Sequence, residues 1–110
     1  MSTLIARGNV LRLFAVQFTL DVTSKSAATT AEQTVSISGL KVGDIVVCVN
    51  KPSLNAGLGI ANARVSAADT LAITYINATA GAIDPASETY TAIIARPEVP
   101  ASALPTVLTP

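Results

Sequence analysis

The chain has 110 residues, enough for one small compact domain with a modest core. Seven basic residues balance seven acidic ones, which leaves no excess positive charge to neutralise phosphates or hold an anionic membrane surface, so nucleic acid is not expected as a partner. Half the residues are hydrophobic and only 13% are charged, well below the roughly one quarter typical of soluble domains, and the missing polar surface is expected to be covered by partner subunits.

Residues 1–9 read as an N-terminal arm with Leu4, Ile5 and Arg7. From Val10 to Val22 the chain alternates as a half-buried strand requires, with Phe14, Val16, Phe18, Leu20 and Val22 on one face. Ser24 to Thr30 is small and polar and reads as a loop. A second strand is predicted over Glu32 to Ser38 with Val35 and Ile37 inward, followed by a turn from Gly39 to Asp44 beneath which Leu40 and Val42 tuck.

Ile45 to Val49 is apolar without alternation, the pattern of a central strand covered on both faces, and is expected to be the heart of the core with Val47 at its centre. Pro52, Asn55, Gly57 and Gly59 make Asn50 to Gly59 a loop. Ile60 to Ser66 and Thr70 to Asn77 flank Ala67, Ala68 and Asp69 at hairpin spacing, with Leu71, Ile73 and Tyr75 inward. After a turn region from Ala78 to Ser87, Glu88 to Arg96 alternates again, with Tyr90, Ala92 and Ile94 on one side.

From Pro97 onward, prolines are interspersed with Ala, Val and Leu, so no packed element is expected and an extended, polyproline-like course is. The fold class is therefore all-β: an antiparallel β-sandwich or small β-barrel of about six to eight short strands over residues 10–97, with extended arms at 1–9 and 98–110. The arms and the residues beside them supply the expected partner contacts. These are Leu4, Ile5, Arg7 and Arg12 at one end, and Pro97, Val99, Pro100, Leu104 and Pro105 at the other.

Little of the sequence points to chemistry. Cys48 is the only cysteine, so an intrachain disulfide cannot form, and within its apolar run it is expected to be a buried small hydrophobe. No His is present to activate a thiol or complete a zinc site. The acidic residues are scattered without calcium-loop spacing and are read as solvated or turn positions. Gly57 and Gly59 lack the third glycine and the helix opening of a dinucleotide fingerprint. Asn77-Ala78-Thr79 fits a glycosylation sequon but is read as loop polarity, and Tyr75 and Tyr90 are assigned to the core. No catalytic residue, cofactor or metal is expected, and the chain is not expected to be an enzyme.

The longest strongly apolar stretch, 45–49, is far short of the about 20 residues that cross a bilayer, so no membrane partner is expected. Met1 to Val10 lacks the ordered parts of a signal peptide, and synthesis in a cytoplasm is expected.

The run Gly43-Asp44-Ile45-Val46-Val47, the loop Asn50-Lys51-Pro52-Ser53-Leu54-Asn55-Ala56-Gly57-Leu58-Gly59-Ile60, the stretch Ala63 to Leu71 and the closing Tyr90 to Pro97 carry a resemblance. Across residues 33–97 the chain resembles the small decoration, or cement, proteins of tailed-phage capsids. The resemblance implies a β-sandwich that decorates the outer surface of the mature head as a trimer at local threefold positions, with itself and the major capsid protein as partners and the virion as its location. Related β-modules occur in tails and fibres, so a module binding a host-surface glycan is the alternative; the scarcity of aromatic residues argues against it.

Overall fold

The computed structural model describes residues 4–5, 9–99 and 103–108. The described residues form eight strands: β1 (Leu4–Ile5), β2 (Val10–Leu20), β3 (Thr29–Ser36), β4 (Ile45–Asn50), β5 (Leu58–Ala67), β6 (Thr70–Asn77), β7 (Glu88–Pro97) and β8 (Val107–Leu108). Six of them build two antiparallel three-stranded sheets, ordered β2-β7-β4 and β3-β6-β5. β1 and β8 pair in parallel with each other, Leu4 opposite Val107 and Ile5 opposite Leu108. This short ladder departs from the expectation that nothing paired would form beyond Pro97. Spaced prolines forbid a long strand but leave a two-residue one free to form.

The expected alternation in β2, β6 and β7 holds and defines the core. Phe18 and Leu20 from β2, Leu71, Ile73 and Tyr75 from β6, and Tyr90, Ala92 and Ile94 from β7 are buried between the sheets with Val22 and Leu40. The Phe18 and Tyr90 rings stack at 5.4 Å, and the Tyr75 hydroxyl donates to that of Tyr90 at 2.9 Å, pinning the two central strands together.

The apolar run 45–49 is not the central strand it was expected to be. β4 is an edge strand paired only with β7, and its register shifts between Val46 and Cys48. Val46 lies opposite Ile94 and Val49 opposite Ala92, both inward, so the extra residue turns Val47 and Cys48 to the outside together. Val47 is 57% exposed, and Cys48 is exposed rather than buried. The bulge explains how a run without alternation can occupy a half-exposed strand. Val42 likewise points to solvent while Leu40 alone tucks under the turn.

Loops are tied to the sheets by specific polar contacts. The β5–β6 hairpin turns at Asp69, whose φ of 59° is left-handed. Its carboxylate accepts from the Gly39 amide at 2.8 Å, and its own amide donates to the Leu40 carbonyl. Asn77, expected as loop polarity, ends β6 fully buried: its Nδ2 donates to the carbonyls of Lys25, Ser26 and Gly81, and its Oδ1 accepts from Thr79. Lys25 and Ile83 exchange backbone hydrogen bonds, joining the β2–β3 and β6–β7 connections. The Lys25 ammonium donates to Thr23 and Gln33 beside the Tyr75 ring.

Candidate interaction surface

The two sheets present unlike outer faces. On β3-β6-β5 the outward positions include Thr30, Glu32, Thr34, Thr74 and Arg64 with Ile76 as an exposed apolar residue among them, and Glu32 and Arg64 bridge at 2.9 Å across the central strand, over Ala72. On β2-β7-β4 the registers place Leu13, Ala95 and Ile45 in one row across the sheet and Ala15, Ile93 and Cys48 in the next, with Val47 beside them. Leu13 is 67% exposed and Leu11 and Ile45 are also open. No charge falls within this half of the face. The rows further along, Gln17-Thr91-Asn50 and Thr19-Thr89, are polar but uncharged, with the two threonine hydroxyls 3.4 Å apart.

Several ionisable groups hold elements together. Arg96 donates Nε to Asp44 Oδ1 at 2.9 Å and Nη2 to Oδ2 at 2.7 Å, and reaches the Gly39 carbonyl at 2.9 Å. Asp44 also accepts the Lys41 amide. The Arg96 guanidinium holds the Asp44 carboxyl below its usual range, against the opposing effect of desolvation. Of the solvated or turn role expected for the acidic residues, Asp44 takes the turn role, and it is buried in doing so.

Glu88, at the start of β7, is clamped by the loop after β4. Ser53 donates to its Oε2 at 2.7 Å, and Lys51 faces its Oε1 at 2.7 Å as an ion contact without hydrogen-bond alignment. Lys51 further donates to the Ser53 carbonyl and to Asn55. The Lys51 and Ser53 contacts lower the Glu88 pKa. The Lys-Pro loop is therefore a strap over the edge of the sandwich, a role its sequence could have suggested only through the proximity of Glu88 in three dimensions.

The expected contact residues that are described lie on several elements. Arg12 is exposed on β2, and Pro97 ends β7 opposite Val10. Val99, Leu104 and Pro105 are half-buried along the C-terminal segment. Leu4 and Ile5 form β1, while Arg7 and Pro100 lie outside the described residues. Both arms depart from the same end of the sheet that carries the apolar rows, where Glu98 donates its amide to the Asn9 carbonyl at 2.8 Å. Ile45 and Val47, expected in the core, join Leu13 in these rows, and only the strand register aligns them.

Tyr75 and Tyr90 are interior, so neither offers a stacking platform for a sugar. Among the described residues no group of three His, Cys, Asp or Glu is gathered to hold a metal, and no helix is long and apolar enough to cross a membrane. Comparison with known protein families, with curated proteins and with solved structures returns no match to this chain.

Proposed function

We propose that the chain is a structural protein of a tailed-phage virion that binds the outer surface of the mature capsid, as a homotrimer at local threefold positions against the major capsid protein. The observation that carries the reading is the inequality of the two faces: one sheet is polar apart from Ile76 and bridged by an ion pair, and the other presents uncharged apolar rows beside both arms. Contiguous exposed apolar rows of that kind mark surfaces that other proteins cover. The resemblance of residues 33–97 to capsid decoration proteins names the partner.

The mechanism is linkage. A protein that binds the expanded shell more tightly than its precursor shifts the equilibrium toward the expanded shell and resists internal pressure with added contacts, without any covalent step. Co-sedimentation of the purified chain with expanded and unexpanded heads tests the reading. Binding to expanded heads alone is expected, with three copies per local threefold position visible by cryo-microscopy; location on the tail, or attachment to neither head, refutes it.

A further inference from the structure

The sandwich is closed along one side, where β4 and β5 lie against each other, and open along the other, where β2 and β3 pair only with β7 and β6. β2 therefore offers a free backbone edge. From Arg12 to Leu20 its register against β7 is unbroken, unlike the bulged edge strands β4 and β5. A long, regular edge without proline is a template for a further strand.

Beside this edge a cleft of about 350 Å³ opens between the sheets. Phe14, Val16, Ile37, Leu40 and Ile94 give it an apolar lining, and Arg12 and Arg96 also border it. These two arginines are direct cross-strand partners, an arrangement that repels unless each charge is compensated. Asp44 compensates Arg96. Arg12 has no ion-pair partner among the described residues. Of two adjacent guanidinium groups only Arg96 is matched by a carboxylate, at the border of an apolar cleft and next to unpaired backbone.

We infer that the β2 edge and this cleft form an acceptor slot for an extended segment of another protein, one with aliphatic residues at alternate positions and an Asp or Glu set against Arg12. The added strand continues the sheet as a fourth member. Its backbone bonds to β2, its inward side chains enter the cleft, and its carboxylate supplies the missing charge. The inference rests on the seam itself and holds whatever assembly the apolar face joins.

Selection of a displayed library of random ten-residue peptides, against the full chain and in parallel against the Arg12→Glu chain, tests it. The unaltered chain is expected to enrich peptides alternating aliphatic residues with one acidic residue at a fixed position, and Arg12→Glu to enrich Lys or Arg there. The best acidic peptide should lose at least about tenfold in affinity for Arg12→Glu, and its amide shift changes on the chain should concentrate in residues 12–20 and 37–40. The inference is overturned by a selection without this pattern, by shifts on the outer face of β2-β7-β4, or by a chain that self-associates through β2 and so excludes the peptide.

Discussion

The hydroxyls of Tyr75 and Tyr90 meet at 2.9 Å in the middle of the sandwich, each from the central strand of its own sheet. Burial, helped by this hydrogen bond, pushes the Tyr75 pKa up. Replacing either tyrosine by phenylalanine strands the other hydroxyl away from water, at about 1–3 kcal/mol. The double Phe variant is expected to be more stable than the sum of the two single losses implies, because no polar group is then left unpaired. Denaturant unfolding of the four proteins measures the difference, and strict additivity would show that the two hydroxyls act independently.

Val47 separates folding from assembly. At its exposed bulge position, Val47→Asp is expected to cost under about 1 kcal/mol while abolishing association through the apolar rows. Leu71→Ala, which empties a fully buried site, is expected to cost about 2–5 kcal/mol. Thermal melts report the first comparison and sedimentation the second. A Val47→Asp chain that fails to fold would contradict the placement of the bulge.

Gly57 has a φ of 84°, and a Cβ there would run into the Thr79 methyl group. Thr79 cannot yield easily, because its hydroxyl donates to Asn77 Oδ1 at 2.7 Å. Gly57→Ala is expected to destabilise by about 2 kcal/mol or more from strain and overpacking combined. Thr79→Ser should recover part of the loss by removing the methyl group, read as a partial return of the melting temperature.

Acid should weaken the protein through Asp44. Its folded-state pKa is lowered, so the unfolded chain binds the proton more readily. The stability contributed by the Arg96 pair is full above the unfolded value of about 4 and is lost as pH falls through the lower folded value. Glu32 and Glu88, lowered by Arg64 and by Lys51 with Ser53, act in the same direction. Stability measured from pH 7 to pH 2 should fall more steeply in the unaltered chain than in Asp44→Asn, which is weaker at neutral pH and flatter in acid.

The arms can be removed without unfolding the domain, since β1 and β8 pair with each other and with neither sheet. Deleting residues 98–110, or separately 1–9, is expected to leave the melting temperature within a few degrees while weakening trimer formation or head attachment. Unchanged attachment by both truncated chains would move the contact onto the sheet face alone.

Strand positions and the inward faces of β2, β6 and β7 were legible because large apolar side chains recur at every second position, as in Phe14 to Leu20 and Leu71 to Tyr75. The role of 45–49 was not. An unalternating apolar run has two physical origins, burial on both faces or a bulge that resets the phase, and local sequence does not distinguish them. The long-range pairs Asp44–Arg96 and Lys51–Glu88 were equally hidden, because their partners lie far apart along the chain and meet only through strand order. The apolar rows required the register of three strands at once.

In both sheets the middle strand is the last of its three to leave the ribosome: β7 after β2 and β4, and β6 after β3 and β5. Every ladder of the sandwich includes β6 or β7. A nascent chain that has not reached Thr70 therefore contains none of the sandwich's strand pairs. The β5–β6 hairpin is the first local pairing available, and the opening strand β2 waits for a partner more than sixty positions downstream. Such delayed closure makes folding slow and leaves apolar strands uncovered during translation. Productive synthesis then depends on finishing the chain quickly, and slowed translation between Asn77 and Glu88 is the interval in which β2 and β4 are most open to mispairing.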